Sequence, residues 1–164
     1  MLGLHGKFVV GWFGLMTRVR QVEQILIPLI KMAEHIIPDA VFLVGGKGQI
    51  KDYFERFVSN NGAANVLCLG YIPYDKLAKH IAACDITLCP LDNFSIHDKY
   101  MLSRKISESL CVGVPVIVTK TPAVQSFFQG FRSIYMIANT IEAFIEAIVD
   151  VGKNLEDYRL SARN

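Results

Sequence analysis

Lys105-Ile106-Ser107-Glu108-Ser109-Leu110-Cys111-Val112-Gly113-Val114-Pro115-Val116-Ile117-Val118 is the stretch that decides how the chain folds. It describes a short helix that stops at Gly113 and runs into a buried strand over 115–118. A glycine just past the last turn, with a proline beyond it, is the expected stop signal of a helix. Ile106, Leu110 and Cys111 can share a core-facing side, while Lys105 and Glu108 stand three apart on another. A carboxylate early in such a helix, at the mouth of a strand-bounded crevice, can accept hydrogen bonds from a pair of ligand hydroxyls. By spacing alone, a lysine and a glutamate so placed more often make a surface ion pair. The surroundings decide between the two.

At 164 residues the chain suits a single domain, 1–164, with one substantial core. A hydrophobic fraction of 52% and a charged fraction of 20% describe a globular chain and exclude a disordered one. A formal charge of +2 without a basic stripe argues against nucleic acid as a partner. Cys68, Cys84, Cys89 and Cys111 show neither CxxC pairing nor a companion histidine at zinc spacing. Each lies in or beside an apolar run, so all four are expected as buried free thiols in a reducing compartment. Residues 1–13 are too broken by Gly, His and Lys for a secretory leader, and export is not expected. No uncharged apolar run approaches the ~18 residues of a membrane span.

Working outward, strands and helices alternate. Lys7 to Phe13 predicts a first strand buried on both faces and ended by Gly14. A loop with Thr17, Arg18 and Arg20 leads into a helix whose stripe is Val22, Ile25, Leu26, Leu29, Ile30 and Ala33. Pro28 is expected to kink it, since proline removes a backbone donor. Val41 to Val44 predicts a second strand, with Gly45 to Gly48 as the loop after it. A helix with Ile50, Tyr53, Phe54 and Phe57 on one face follows, stopping in Asn60-Asn61-Gly62. Further strands are expected at Asn65 to Leu69, Ile86 to Cys89, Pro115 to Val118 and Ser133 to Ile137. Helices with Leu77 and Ile81, with Ala123 to Phe128, and with Ile141, Phe144, Ile145 and Ile148 lie between or after them. Leu91 to Leu102 has no period and reads as a long loop.

This alternation predicts an α/β fold: a doubly wound, Rossmann-like parallel sheet of about six strands with helices on both faces. Ligands of such sheets lie outside the carboxyl ends of the strands, where the strand order reverses. The loops after the first and fourth strands flank that point. A dinucleotide site would need GxGxxG after the first strand and an acid ending the second; here stand Gly11-Trp12-Phe13-Gly14-Leu15-Met16 and Gly45-Gly46. The phosphate loop of nucleotide hydrolases is absent, as are clustered acids of a receiver domain. What remains is Gly14 with Arg18 and Arg20 on one side, and Lys105 with a helix start on the other. Fixed cations with backbone amides suit a diphosphate; alone, the two arginines would describe no more than a solvated loop.

The chain resembles the carboxy-terminal, donor-binding domain of GT-B glycosyltransferases, in particular the retaining enzymes of family 4 (glycosyl transferases group 1). The likeness runs from Phe8 to about Val149. It is carried by Val41-Phe42-Leu43-Val44-Gly45-Gly46-Lys47-Gly48 and Asn65-Val66-Leu67-Cys68-Leu69-Gly70-Tyr71-Ile72. Ala83-Cys84-Asp85-Ile86-Thr87-Leu88-Cys89-Pro90 and the segment from Ser103 through Glu108 to Ile117 complete it. The resemblance implies that Glu108 holds the donor ribose hydroxyls and that Arg20 binds the diphosphate. Arg18 would stand in for a family arginine that falls on Leu15. It implies further that Ile72, after Gly70 and Tyr71, meets the nucleobase through its backbone, and that Arg104 and Lys105 lie over the phosphates. The donor site so implied is Gly14, Arg18, Arg20, Gly46, Tyr71, Ile72, Arg104, Lys105 and Glu108.

The family's first motif glutamate falls on Tyr100, and members with a Ser-x-Lys-x-x-Glu style of motif often lack it too. By resemblance the chain would be the donor half of an enzyme of polysaccharide biosynthesis, moving a sugar from a nucleotide-diphosphate sugar to a glycan or lipid-linked acceptor. Its partner would be an amino-terminal acceptor domain, on the same polypeptide or a separate subunit. This half alone is expected to be inactive. The compartment implied is the cytoplasm, with membrane contact at the periphery through the acceptor half. The alternative is a degenerate, non-catalytic nucleotide- or partner-binding module on the same fold. His5, His35, His80 and His97 share no metal-ligand spacing; only His97 falls beside the crevice, with Asp92, Asp98 and Lys99. Enzymes of this fold neutralise the leaving diphosphate with protein cations, so neither metal nor cofactor is expected.

Overall fold

The computed structural model describes residues 4–17, 21–61 and 63–163. Six strands form one parallel sheet: β1 (Phe8–Leu15), β2 (Ala40–Lys47), β3 (Val66–Gly70), β4 (Ile86–Cys89), β5 (Val116–Thr119) and β6 (Ile134–Ile137). Their order is β3-β2-β1-β4-β5-β6, so the winding reverses between β1 and β4. The helices are α1 (Ile27–Ile36), α2 (Lys51–Asn61), α3 (Tyr74–Ile81), α4 (Ile96–Tyr100), α5 (Arg104–Leu110), α6 (Pro122–Phe128), α7 (Ile141–Lys153) and α8 (Leu155–Arg163). Parallel strands need helical crossovers, and helices on both faces leave the central strands dry. On one face Val10, Trp12, Phe42 and Val44 join Leu26, Leu29 and Phe144 in the main core. On the other, Val9, Phe13 and Leu43 pack with Ile81, Cys84 and Val114. Trp12 is fully buried, as the sequence predicts for a strand residue.

α5 ends where Gly113 was expected to stop it. Gly113 takes φ 73°, its N–H donates to Leu110 O at 2.9 Å, and Val114 N–H donates to Ser109 O at 3.0 Å. These are the two bonds of a Schellman stop. The helix is held to the sheet by Ile106, which is fully buried, and by Thr87 Oγ1 donating to Ser109 Oγ at 2.8 Å.

Several expectations are corrected. Pro28 sits at the start of an α-helix rather than inside a long one: a π-helical turn, Val22–Leu26, runs directly into α1, and Pro28 falls within the first two positions of α1. Leu26 N–H and Ile27 N–H reach back five residues, to Gln21 O and Val22 O, so the wider turn absorbs the proline before α1 begins. β1 and β2 run past their predicted ends, to Leu15 and Lys47, because Gly14 and Gly46 pair in register and the ladder continues. Tyr53 is exposed while Ile50, Phe54 and Phe57 are buried, since its place on α2 turns it to solvent. α2 ends at Asn61, and Gly62 lies outside the described residues. Of the four free thiols only Cys84 and Cys89 are buried; Cys68 is on the outer strand β3 and Cys111 past the end of α5. Residues 91–102 are not a plain loop but carry α4, capped by Ser95. No helix among the described residues is long and apolar enough to cross a membrane.

Candidate functional site

The ends of β1 and β2 lie side by side, with Gly14 opposite Gly46 and Leu15 opposite Lys47. A Cβ on Gly46 would run into the carbonyl oxygen of Gly14, and one on Gly45 into Ile72. The sheet edge there is bare backbone because nothing larger fits. Beyond β3, Gly70 turns the chain at φ 62° and delivers Tyr71, exposed, and Ile72, half-buried. Lys47 reaches across to Tyr71, with Nζ 4.5 Å from the ring centroid. A cation over an aromatic face contributes about 0.5–1 kcal/mol when exposed.

α5 closes the opposite side. A Cβ on Gly14 would sit 2.6 Å from Lys105 Cε and 3.1 Å from Nζ. The glycine thus makes the seat into which the lysine folds. Lys105 Nζ also lies 4.6 Å from the buried Trp12 ring, so its place is set by packing as well as by charge. Glu108 is in the second turn of α5 rather than at its opening, on the same side as Lys105. Ser95, Thr121 and Thr140 each accept a hydrogen bond from a helix amide, whereas Ser103 at the start of α5 makes no such side-chain bond. Among the described residues, the first-turn amides of α5 therefore take no cap from the Ser103 side chain.

These elements enclose a crevice of about 540 Å³ at the carboxyl end of the sheet. Gly14, Gly46, Tyr71, Ile72, Arg104, Lys105 and Glu108 all line it, so these seven sequence-derived positions meet in one place. Arg18 and Arg20 lie outside the described residues. Tyr100 does not line the crevice; it is 62% exposed, with Lys99 Nζ 5.7 Å from its ring.

Among the other lining residues, Lys47, His97 and Asp98 are polar and have no part in the donor site drawn from the sequence. Lys47 stands directly after the glycine pair, in a stretch that carries the family likeness. The sequence places His97 and Asp98 beside the crevice, but as part of a loop, because α4 is only five residues long and shows no hydrophobic period. Asp98 is 4% exposed and organises the segment: its Oδ2 accepts from Asp92 N–H at 3.1 Å, and its own N–H donates to Ser95 Oγ. His97 Nδ1 lies 3.1 Å from Asp98 Oδ1. Among the described residues no group of three or more His, Cys, Asp or Glu gathers as a metal set. The buried Cys84 thiol, pushed up to about 12 by desolvation with Asp85 adding to it, is no nucleophile at neutral pH.

With two acids, three lysine or arginine cations and bare backbone, the crevice can hold a polar, anionic ligand that also carries hydroxyls. A family model described as glycosyl transferases group 1 matches residues 7–154. No curated protein matches the chain. Among solved structures, a point mutant of TarM of S. aureus, in complex with UDP, α-GlcNAc-glycerol and fondaparinux, aligns with a TM-score of 0.79 at 17% identity, over 96% of this chain and 31% of that one. HepE of Anabaena with UDP and glucose aligns with a TM-score of 0.78 at 19% identity, over 99% and 43%. The C-terminal domain of LpcC, a glycosyl transferase group 1 family protein from Francisella tularensis, gives 0.74 at 17%, over 97% and 82%. At these identities the likeness is one of fold. The chain spans 31% of TarM and 43% of HepE, well under half of either.

Proposed function

Since the chain belongs to the group 1 glycosyl transferases, we propose that its crevice binds a nucleotide-diphosphate sugar as the donor half of a retaining glycosyltransferase. The observation that carries the reading is the convergence of Gly14, Lys105 and Glu108 on one crevice. A glycine seats a cation, and a carboxylate stands one turn further along the same helix. Glu108 accepts from the two ribose hydroxyls. Lys105, Arg104 and Lys47, with Arg18 and Arg20, which follow β1 in the sequence, neutralise the diphosphate. Ile72 and Tyr71 border the base. That TarM and HepE were crystallised with UDP supports this assignment.

When the sugar leaves, the anomeric C–O bond breaks with its electron pair on the phosphate oxygen, and the diphosphate gains a negative charge. Fixed lysines and arginines aimed at that charge stabilise it without reorganising. They supply the charge themselves, so the reading calls for no metal. The acceptor, a glycan or lipid-linked glycan of polysaccharide biosynthesis, is supplied by an amino-terminal domain, on the same polypeptide or a separate subunit. The enzyme works in the cytoplasm, against the membrane periphery where that half makes contact. Transfer by this domain alone is not expected.

A panel of UDP, GDP, ADP and their sugars in thermal denaturation tests the reading. A donor at 100 times its dissociation constant stabilises the fold by ~2.7 kcal/mol. No shift with any of them defeats it. A second reading, a binding module without catalysis, is favoured by Tyr100, which brings no carboxylate and does not line the crevice. Nucleotide binding without sugar transfer, once an acceptor domain is supplied, would select it.

A further inference from the structure

The segment after β4 places a second polar pair in the crevice, which the donor reading above leaves without work. Asp98 is buried, and its carboxylate is fixed by Asp92 N–H on one oxygen and by His97 Nδ1 on the other. A carboxylate only accepts, so Nδ1 carries the proton, and in the neutral form of the ring that leaves Nε2 as an acceptor. The imidazole itself is 62% exposed, while the group that orients it is not. A buried aspartate holding an exposed imidazole at a cavity wall is the arrangement that fixes a histidine tautomer for use on a ligand.

Strand order says which part of the ligand it meets. Along β3-β2-β1-β4, Tyr71 and Ile72 follow β3, Lys47 ends β2, Gly14 ends β1 with Lys105 against it, and His97 follows β4. A donor with its base beside Ile72 and its diphosphate at Gly14 and Lys105 carries its sugar toward β4. We propose that His97, oriented through Nδ1 by Asp98, accepts a hydrogen bond from a hydroxyl of the transferred sugar. This rests on the donor reading of the crevice and assigns its sugar end.

Calorimetric titration of UDP with UDP-glucose, GDP with GDP-mannose, and ADP with ADP-glucose separates the two. Wild type binds one nucleoside diphosphate, and its sugar form more tightly than the bare diphosphate. His97→Ala loses roughly tenfold more affinity for the nucleotide sugar than for the diphosphate, the scale of one hydrogen bond. His97→Gln, whose amide can reach the place of Nε2, recovers part of that. Equal losses on both ligands overturn the proposal while leaving the donor site standing. No binding of any nucleoside diphosphate by wild type overturns the donor reading and this one with it. Asp98→Asn should lower sugar affinity in the same selective way. Should that variant fail to fold, nitrogen chemical shifts of His97 in wild type decide the point, since neutral imidazole protonated on Nε2 rather than Nδ1 refutes the role of Asp98.

Discussion

The two walls of the crevice are built on opposite principles. Where Gly14, Gly45 and Gly46 stand, the wall made by β1 and β2 offers backbone, because these positions leave no room for side chains, and Lys47 follows only at its rim. The wall made by the β4–α5 segment offers side chains, among them His97, Arg104, Lys105 and Glu108. A wall of packed backbone tolerates almost no change, since close-packed interiors resist even one added methyl. A wall of side chains can be altered group by group without moving the sheet. Substitutions on the first wall should therefore act on fold and binding together, and those on the second on one part of the ligand at a time.

The largest effect is expected at Gly46. Its Cβ would meet a backbone carbonyl, which cannot rotate away, whereas a Cβ on Gly45 meets chiefly the mobile end of Ile72. Gly46→Ala should cost about 1–3 kcal/mol of stability, as overpacked sites do, and abolish donor binding. Gly45→Ala should cost clearly less. Chemical denaturation of the two variants side by side measures the difference. Equal stabilities would mean that β1 and β2 can spread apart, and the contrast between the walls would lose its basis.

On the second wall the effects become selective. Glu108→Gln should fold normally and lose about 1.5–3 kcal/mol of nucleotide affinity. An amide keeps one acceptor and turns a donor toward the second ribose hydroxyl. Calorimetry giving equal affinities for wild type and Glu108→Gln would remove Glu108 from the site. Lys105→Ala should lose on the order of 1.5 kcal/mol for a nucleoside diphosphate and much less for the bare nucleoside. Because Lys105 also packs on Trp12 and Gly14, a small loss of stability should accompany it. Identical losses for the two ligands would show that this cation does not touch phosphate.

What could be read from the sequence follows the same division. The stop at Gly113, the strands rich in Val and Ile, and the reversal between β1 and β4 follow from local chemistry and hydrophobic period. Of the seven positions that meet in the crevice, Gly14, Lys105 and Glu108 can be picked out from a glycine turn and a short helix, whereas Gly46, Tyr71, Ile72 and Arg104 come from the resemblance to the family. The continuation of β2 through Gly45 and Gly46 was not legible. Glycines ordinarily mark a loop, and only the facing Gly14 of another strand explains why these stay in the ladder. The seating of Lys105 against Gly14 is likewise a contact between residues about ninety positions apart. α4 escaped notice because Asp98, its one fully buried residue, is charged, so no apolar stripe announces it. The π-helical turn was not legible as such either: the apolar stripe runs straight through it, and Pro28 announces only a kink.

The smallest effect is expected at Tyr100, and it tests whether the second wall stays open as it stands. Tyr100 belongs to α4, beside His97 and Asp98, yet its ring is exposed and does not line the crevice. An exposed side chain away from a binding site changes stability by no more than about 0.5 kcal/mol. Tyr100→Ala should therefore leave nucleotide and nucleotide-sugar affinity within that margin of wild type. The comparison with His97→Ala, three positions earlier on the same short helix, is the informative one. If α4 is rigid, the two variants separate cleanly, one selective for the sugar and the other silent. If α4 turns inward when the donor binds, Tyr100 would enter the crevice and its removal would weaken the nucleotide sugar as well. Titration of the same ligand pair into both variants distinguishes a fixed wall from one that the ligand completes.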